Sequence, residues 1–362
     1  MAAGRRRCGM TSSLEQRYRR LLTLLPASYR RRWEDDMVRT FLECVGAEED
    51  TEDAAYLRDH GRPDRDEVLS VLALATRLRL GGVGAEPRPR LRGDAIRAVA
   101  LLGLLFHAVT AAVEIGVMPW LAGDFPPLPT PPTEPVFDLP GAPWRLAFNP
   151  LGLFAIAAFV ALAVNQPRPA RWLAAVPLVA DWVARTYEAM FLPGGTPPTT
   201  WLIVLVNTGL VLALVAFHRE APPVRTRTWI RAFVAGVLLS PLYVIGMWTL
   251  PVEQELRLAA LDWPGLCALS VSAAGVGYLV LRASAVARAA HWPLTLLFLG
   301  IAALALRGVS VADYVLRGGV SAAVTAVCAA EAAILLLVCA PLAMLALRAT
   351  RELSVNPADV SG

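Results

Sequence analysis

Apolar positions follow two different rhythms along the chain. Over the first ninety or so residues they recur at helical spacing among many charges. Leu14, Tyr18, Leu21, Leu22 and Leu25 fall on one stripe of an amphipathic helix that Pro26 must end. Tyr29, Trp33, Met37, Phe41 and Val45 line one face of a second helix starting near Ser28, with Asp35 and Arg39 largely off it. The acidic stretch from Ala47 to Asp53 and the turn at Gly61 to Pro63 read as a solvated connection. Asp64 then caps a third helix striped by Val68, Leu72, Ala75 and Leu78. Three such stripes predict a small bundle over residues 13–81. Gly81 to Pro89 reads as a flexible tether within a linker at 82–97.

Beyond the linker the rhythm disappears into long Leu/Ala/Val runs. A membrane-spanning helix needs about 20 mostly apolar residues. That length predicts eight spans: Ala98–Met118, Phe148–Val164, Trp172–Phe191, Trp201–Phe217, Ala232–Leu250, Trp263–Leu281, Trp292–Leu306 and Val320–Leu347. The second and seventh are short enough to be re-entrant. Pro177, Pro241 and Pro341 are expected to kink their helices. The fold class expected is therefore all-α: a polytopic membrane helix bundle over 98–347, a cytosolic three-helix domain before it, a disordered start at 1–12 and a cytosolic tail at 348–362.

Arginine placement orients this bundle. Arg168, Arg171, Arg219, Arg225, Arg227, Arg231, Arg282, Arg288, Arg348 and Arg351 fall in one alternating set of connections, and only Arg145, Arg257, Arg307 and Arg317 in the other. Ten against four puts both termini in the cytosol of a cell membrane, which requires an even number of spans. Trp120, Trp144, Trp172, Trp201, Trp229, Trp263 and Trp292 stand near span ends, as interfacial anchors do. The Pro-rich loop from Pro119 to Ala147 is placed outside.

Composition supports the membrane class: 56% of the 362 residues are hydrophobic, 18% are charged, and the mean hydropathy is +0.50. No lysine occurs, so the 34 basic residues are all arginine. With the abundant alanine, that bias points to a GC-rich genome such as an actinobacterium's. The net charge of +4 is spread over loops and makes no basic stripe with interleaved aromatics, so nucleic acid is not an expected partner. Cys8, Cys44, Cys267, Cys328 and Cys339 are scattered without a CxxC pair, which predicts neither a disulfide framework nor a metal site. The segment behind Arg5 to Arg7 lacks the apolar core of a signal peptide. Met10 is the better start than Met1, because Thr11, Ser12 and Ser13 then cap the first helix.

Candidate chemistry lies mostly inside the apolar runs. Asp181, Arg185 and Glu188 stand at i, i+4 and i+7 of the third span, on one helical face. Each intramembrane charge costs at least ~2.5 kcal/mol on insertion scales, so the three must face the bundle. They form either a relay or polar pocket, or a self-satisfied cluster that holds helices together. His107 and Glu114 share a face of the first span, Glu331 is isolated in the eighth, and Arg185 is available to neutralise one of those carboxylates across the bundle. His107 reads as a proton-coupled group or as a hydrogen-bonded packing residue, and Asn207 as a bond between helices. Gly275-Val276-Gly277 reads as a close helix approach. HExxH, GxSxG and Walker patterns are absent, so neither an enzyme active site nor a cofactor is expected. Arg17, Arg19, Arg20, Arg30, Arg31 and Arg32 make a basic patch for anionic headgroups or an acidic partner, or else a merely solvated face. Near an anionic surface each is worth about 1 kcal/mol.

The stretch from Tyr18 to Glu43, YRRLLTLLPASYRRRWEDDMVRTFLE, carries a Leu-rich first helix, the Leu25-Pro26 break, Tyr29-Arg30, and Asp35-Asp36-Met37 ahead of Phe41. It resembles the short helical domain at the front of HAAS-type membrane proteins, which are often encoded beside PadR-like regulators, and the related prefix domain of some bacterial permeases. The resemblance covers under a quarter of the chain. It implies a cytosolic regulatory or interaction module joined to a membrane domain, with a cytosolic regulator protein as partner. The large extracytoplasmic domain of those permeases is missing here. A signalling module is therefore the first expectation, and a transporter or permease component using the third-span charges the second.

Overall fold

The computed structural model describes residues 13–47, 62–121, 151–191, 196–218, 221–249, 256, 260, 262–282, 289–317 and 321–355. The expected start at 1–12, the connection at 48–61, the loop at 122–150 and the end of the tail lie outside them. Among the described residues every regular element is a helix. The helices are α1 (Ser13–Leu22), α2 (Ala27–Ala47), α3 (Arg65–Arg79), α4 (Pro87–Leu121), α5 (Leu151–Ala163), α6 (Pro167–Phe191), α7 (Pro198–Ala213, continued by a 3-10 turn Leu214–Ala216), α8 (Thr226–Thr249), α9 (Trp263–Leu281), α10 (His291–Arg317) and α11 (Ala322–Val355). They fall into two compact units, Met1–Gly93 and Asp94–Gly362.

In the first unit, Leu14, Tyr18 and Leu22 point one way along α1, and Pro26 forces the turn into α2. Tyr18, Leu22, Leu25, Val38, Val71, Ala75 and Leu78 form one core shared by α1, α2 and α3. The Tyr18 ring stacks on Phe41 with centroids 4.0 Å apart. Asp64 caps α3, its carboxylate accepting from the Arg65 N–H at 2.7 Å. Two expected stripes are corrected. Ala75 stands i+3 from Leu72 and i+4 from Val71, and burial selects Val71–Ala75–Leu78, so Leu72 (41% exposed) and Leu69 (61%) face outward. On α2 it is Val38, beside Met37, that enters the core, and Trp33 stays 41% exposed.

The expected tether is a built corner. Gly81 and Gly84 take φ of 81° and 86°, open to glycine, and the Gly82 N–H donates to the Arg77 carbonyl at 2.8 Å. α4 starts at Pro87, inside the stretch expected as linker. At Gly93 a β-carbon would lie 2.0 Å from the Leu80 carbonyl oxygen, so backbone meets backbone there.

Among the described residues, six helices are long and apolar enough to cross a membrane: α4, α7, α8, α9, α10 and α11. The chain is thus built as an integral membrane protein. The other two expected spans are helical but differ in kind. α5 is apolar yet only 13 residues long, about 20 Å, and α6 is diluted by its charges. The seventh is not short or re-entrant, because α10 runs 27 residues and extends past Leu306. α11 likewise carries on to Val355, into the expected tail. Pro177, Pro241 and Pro341 all lie inside helices.

Two packing centres organise the second unit. Ala100, Leu101, Leu104 and Ala108 of α4 meet Ala158, Phe159 and Leu162 of α5 and Ala170 and Ala174 of α6, with Trp229 and Phe233 of α8 against them. Ala268, Ala303 and Leu335 join α9, α10 and α11. Gly275 allows α9 to approach Val338 and Leu342 of α11, whereas Gly277 faces open space.

Candidate functional site

The largest fully buried side chain in the second unit belongs to an arginine that the arginine count had placed in a loop. Arg307 lies in α10, not in a loop, and its side chain is fully buried. Without it the poorer set of arginines holds three, Arg145, Arg257 and Arg317. Its Nη1 donates to Asp262 Oδ2 at 2.8 Å and its Nε to Glu331 Oε2 at 2.6 Å, and Nη2 pairs with the same Glu331 oxygen. Asp262 is placed by its own role as the cap of α9, where Oδ1 accepts the Gly265 N–H at 2.7 Å, next to a proline in the first turn. The Tyr314 hydroxyl reaches Asp262 Oδ2 at 3.5 Å. One cation thus ties the cap of α9 and the third turn of α11 to α10. Glu331's partner is Arg307, not Arg185.

Arg185 is engaged on its own helix instead. Its Nε donates to Asp181 at 3.2 Å and its Nη1 to Glu188 at 2.6 Å. Asp181 and Arg185 keep 28% and 29% of their side-chain surface exposed, and Glu188 14%. The stripe Trp172, Val176, Val179, Val183, Tyr187 and Met190 is exposed on the opposite face of α6.

His107 and Asn207 are brought together, His107 Nε2 lying 3.2 Å from Asn207 Oδ1. The His107 ring also packs 5.0 Å from Trp263. Next to Asn207, Thr208 accepts the Trp182 indole N–H at 3.0 Å, so neighbouring residues of α7 bond α4 and α6. Glu114 does not join His107; it lies exposed on α4, with no ion pair or hydrogen bond among the described residues.

Three helix ends meet at one end of this unit. α5 stops in a left-handed Asn165 (φ 62°), with the Asn165 N–H on Leu162 O and the Gln166 N–H on Ala161 O. The Asn165 side chain then takes both backbone groups of Val224, accepting from its N–H and donating to its carbonyl at 3.2 Å. Arg171 donates to the Leu214 and Phe217 carbonyls at 3.2 and 2.8 Å, and Arg97, paired with Asp94, points at Ala216 O at 3.5 Å. Cations at these last carbonyls complement the end of α7. The α5–α6 corner, the α7–α8 connection and the Asp94–Arg97 turn of α4 therefore share a level.

In the first unit three of the six candidate arginines have neighbours that engage their charge. Arg19 donates to Glu15 and Asp35, both at 3.1 Å, and lies 3.5 Å from Glu34, while Arg30 lies 3.8 Å from Glu34. Arg32 sits over the Trp33 ring at 5.3 Å. Such exposed pairs contribute about 0–1 kcal/mol each, but they neutralise part of the charge offered to a membrane. The Tyr18 hydroxyl donates to Glu67 at 2.7 Å, and burial, then that carboxylate, push the phenol's pKa well above its usual value.

Asp262, Arg307, Tyr314 and Asn165 escape a reading by local pattern. Two signals were available: an Asp-Trp-Pro cap before an apolar run, and an arginine inside another. Among the described residues no three His, Cys, Asp or Glu side chains come together as a metal site. Comparison with family models, curated proteins and solved structures finds no match to this chain.

Proposed function

We propose that this is a non-enzymatic membrane protein of the bacterial inner membrane in which a cytosolic three-helix module receives a soluble partner and couples it to an eight-helix membrane domain. The observation that carries the reading is the outer face of α3. The first unit closes a core of its own and still leaves Leu69 and Leu72, one turn apart, in solvent. Exposed leucines spaced i, i+3 on a small helical unit are what a helix-in-groove or helix-pairing partner reads. The resemblance to HAAS-type domains supplies the class of partner, a PadR-like regulator. Eight spans are supported by the level that the α5–α6 corner shares with the α7–α8 connection, which α5 and α6 reach by running alongside α4 and α7. Both termini are cytosolic on the arginine count.

A photo-crosslinking residue placed at Leu72 in the full-length protein in cells tests this. An adduct with a soluble regulator is expected, with none from the same residue at Val71. Adducts confined to lipid or to a second copy would overturn the reading. A transporter component is the second reading, favoured by the side-chain surface that Asp181 and Arg185 keep open on the protein-facing side of α6.

A further inference from the structure

We propose that Glu331 is a proton-binding site of the membrane bundle, the acid of the Asp262–Arg307–Glu331 cluster that gains and loses a proton. The geometry holds two carboxylates against a single guanidinium whose side chain is fully buried. With both acids ionised the cluster carries one net negative charge in a low-dielectric place, where an unbalanced charge is disfavoured. A proton is the small cation that balances it.

The donors decide which acid takes that proton. Arg307 is common to both, so only the remaining donors differ. Asp262 has the Gly265 N–H at 2.7 Å, the positive end of α9, the Tyr314 hydroxyl at 3.5 Å, and 22% of its side chain exposed. All four favour its charged form. Glu331 lies in the interior of α11 with 9% of its side chain exposed, and both of its bonds from Arg307 fall on Oε2. Among the described residues no other donor reaches it, which leaves Oε1 for the proton. The groups facing it are Arg307 of α10, Asp262 at the start of α9, Tyr243 of α8 and Cys328 one turn before it on α11, while Tyr314 and Cys267 face the Asp262–Arg307 side of the cluster. Arg307 is the cation in that set, and it is already shared. In the exchange a proton from water binds Oε1 and the cluster passes from a net charge of −1 to zero. Arg307 stays with Asp262 throughout, so the change falls on the α10–α11 contact.

The test is infrared difference spectroscopy of the full-length protein in phosphatidylethanolamine/phosphatidylglycerol vesicles, acid minus neutral, across about pH 4–9, which brackets the carboxyl range. The expected result is a protonated-carboxyl band that shifts with carbon-13-labelled glutamate and not with labelled aspartate. It should be lost in Glu331→Gln and kept in a Glu114→Gln/Glu188→Gln double variant. The labelling needs no variant to fold. A band that moves with labelled aspartate, one that vanishes in the double variant, or no band over that range would overturn the proposal.

Discussion

Arg185 holds two carboxylates on its own helix, so deleting it strands both. Arg185→Ala is expected to lower the stability of the membrane domain by about 1–3 kcal/mol, less than the about 3–5 kcal/mol of a fully dry pair because these side chains keep some exposure. Asp181→Asn should be milder, since the amide oxygen still accepts from Arg185 Nε. Thermal unfolding in detergent checks the order. Unchanged activity in Asp181→Asn beside lost stability in Arg185→Ala would rule out the transport reading. Tyr18 gives a pH signature to the first unit. Its pKa is higher folded than unfolded, so the contribution is complete below about pH 10 and falls as pH rises further, because the unfolded chain then gives up the proton first. Tyr18→Phe should flatten that alkaline slope and cost about 1 kcal/mol at neutral pH for the lost bond to Glu67. Circular dichroism melts from neutral to alkaline pH distinguish the two terms. At this scale the α6 cluster was readable because helical spacing alone brings i, i+4 and i+7 together. The Arg307 cluster was not, because Asp262 and Glu331 stand 45 and 24 residues away and no local pattern links them.

The corner between α3 and α4 shows what an element boundary can hide. Gly93→Val would drive side-chain atoms into the Leu80 carbonyl, which is backbone and cannot swing aside, so the loss should reach the upper end of the about 1–3 kcal/mol typical of overpacking. Partial proteolysis of the intact protein reads it: cleavage near Arg88 and Arg90 is expected to speed up in the variant. The composition of this corner, rich in Gly and Pro, looks like a tether, and only the approach of α4 to Leu80 makes it a joint. The helices themselves were legible, because apolar runs and stripes report burial or lipid directly. Their faces were less so. A stripe read as Val68, Leu72, Ala75 and Leu78 differs by one position from the buried Val71, Ala75 and Leu78, and neighbouring helices, not periodicity, decide between them. The length of α10 was hidden because Arg307 ends an apolar window even when the helix goes on.

For the molecule as a whole, one connection separates six spans from eight. If α5 and α6 both cross, a reporter after Arg168 lies in the cytosol together with those after Arg225 and Arg288, and reporters near Pro131 and Glu255 lie outside. If neither crosses, the Arg168 reporter alone changes side. Accessibility of single cysteines at those positions in intact cells gives the same answer without a fusion. The position of Arg307 carries a further consequence, for the order in which the bundle is assembled. An arginine deep in α10 is disfavoured in lipid by about 2.5–3.5 kcal/mol on insertion scales. One of its acids, Glu331, is synthesised only after α10 is complete. Until α11 follows, the guanidinium is paired with Asp262 but lacks its two bonds to Glu331. The last two helices are therefore expected to settle in the bilayer as one hairpin, and a chain ending before Glu331 to leave α10 poorly inserted and short-lived in the cell.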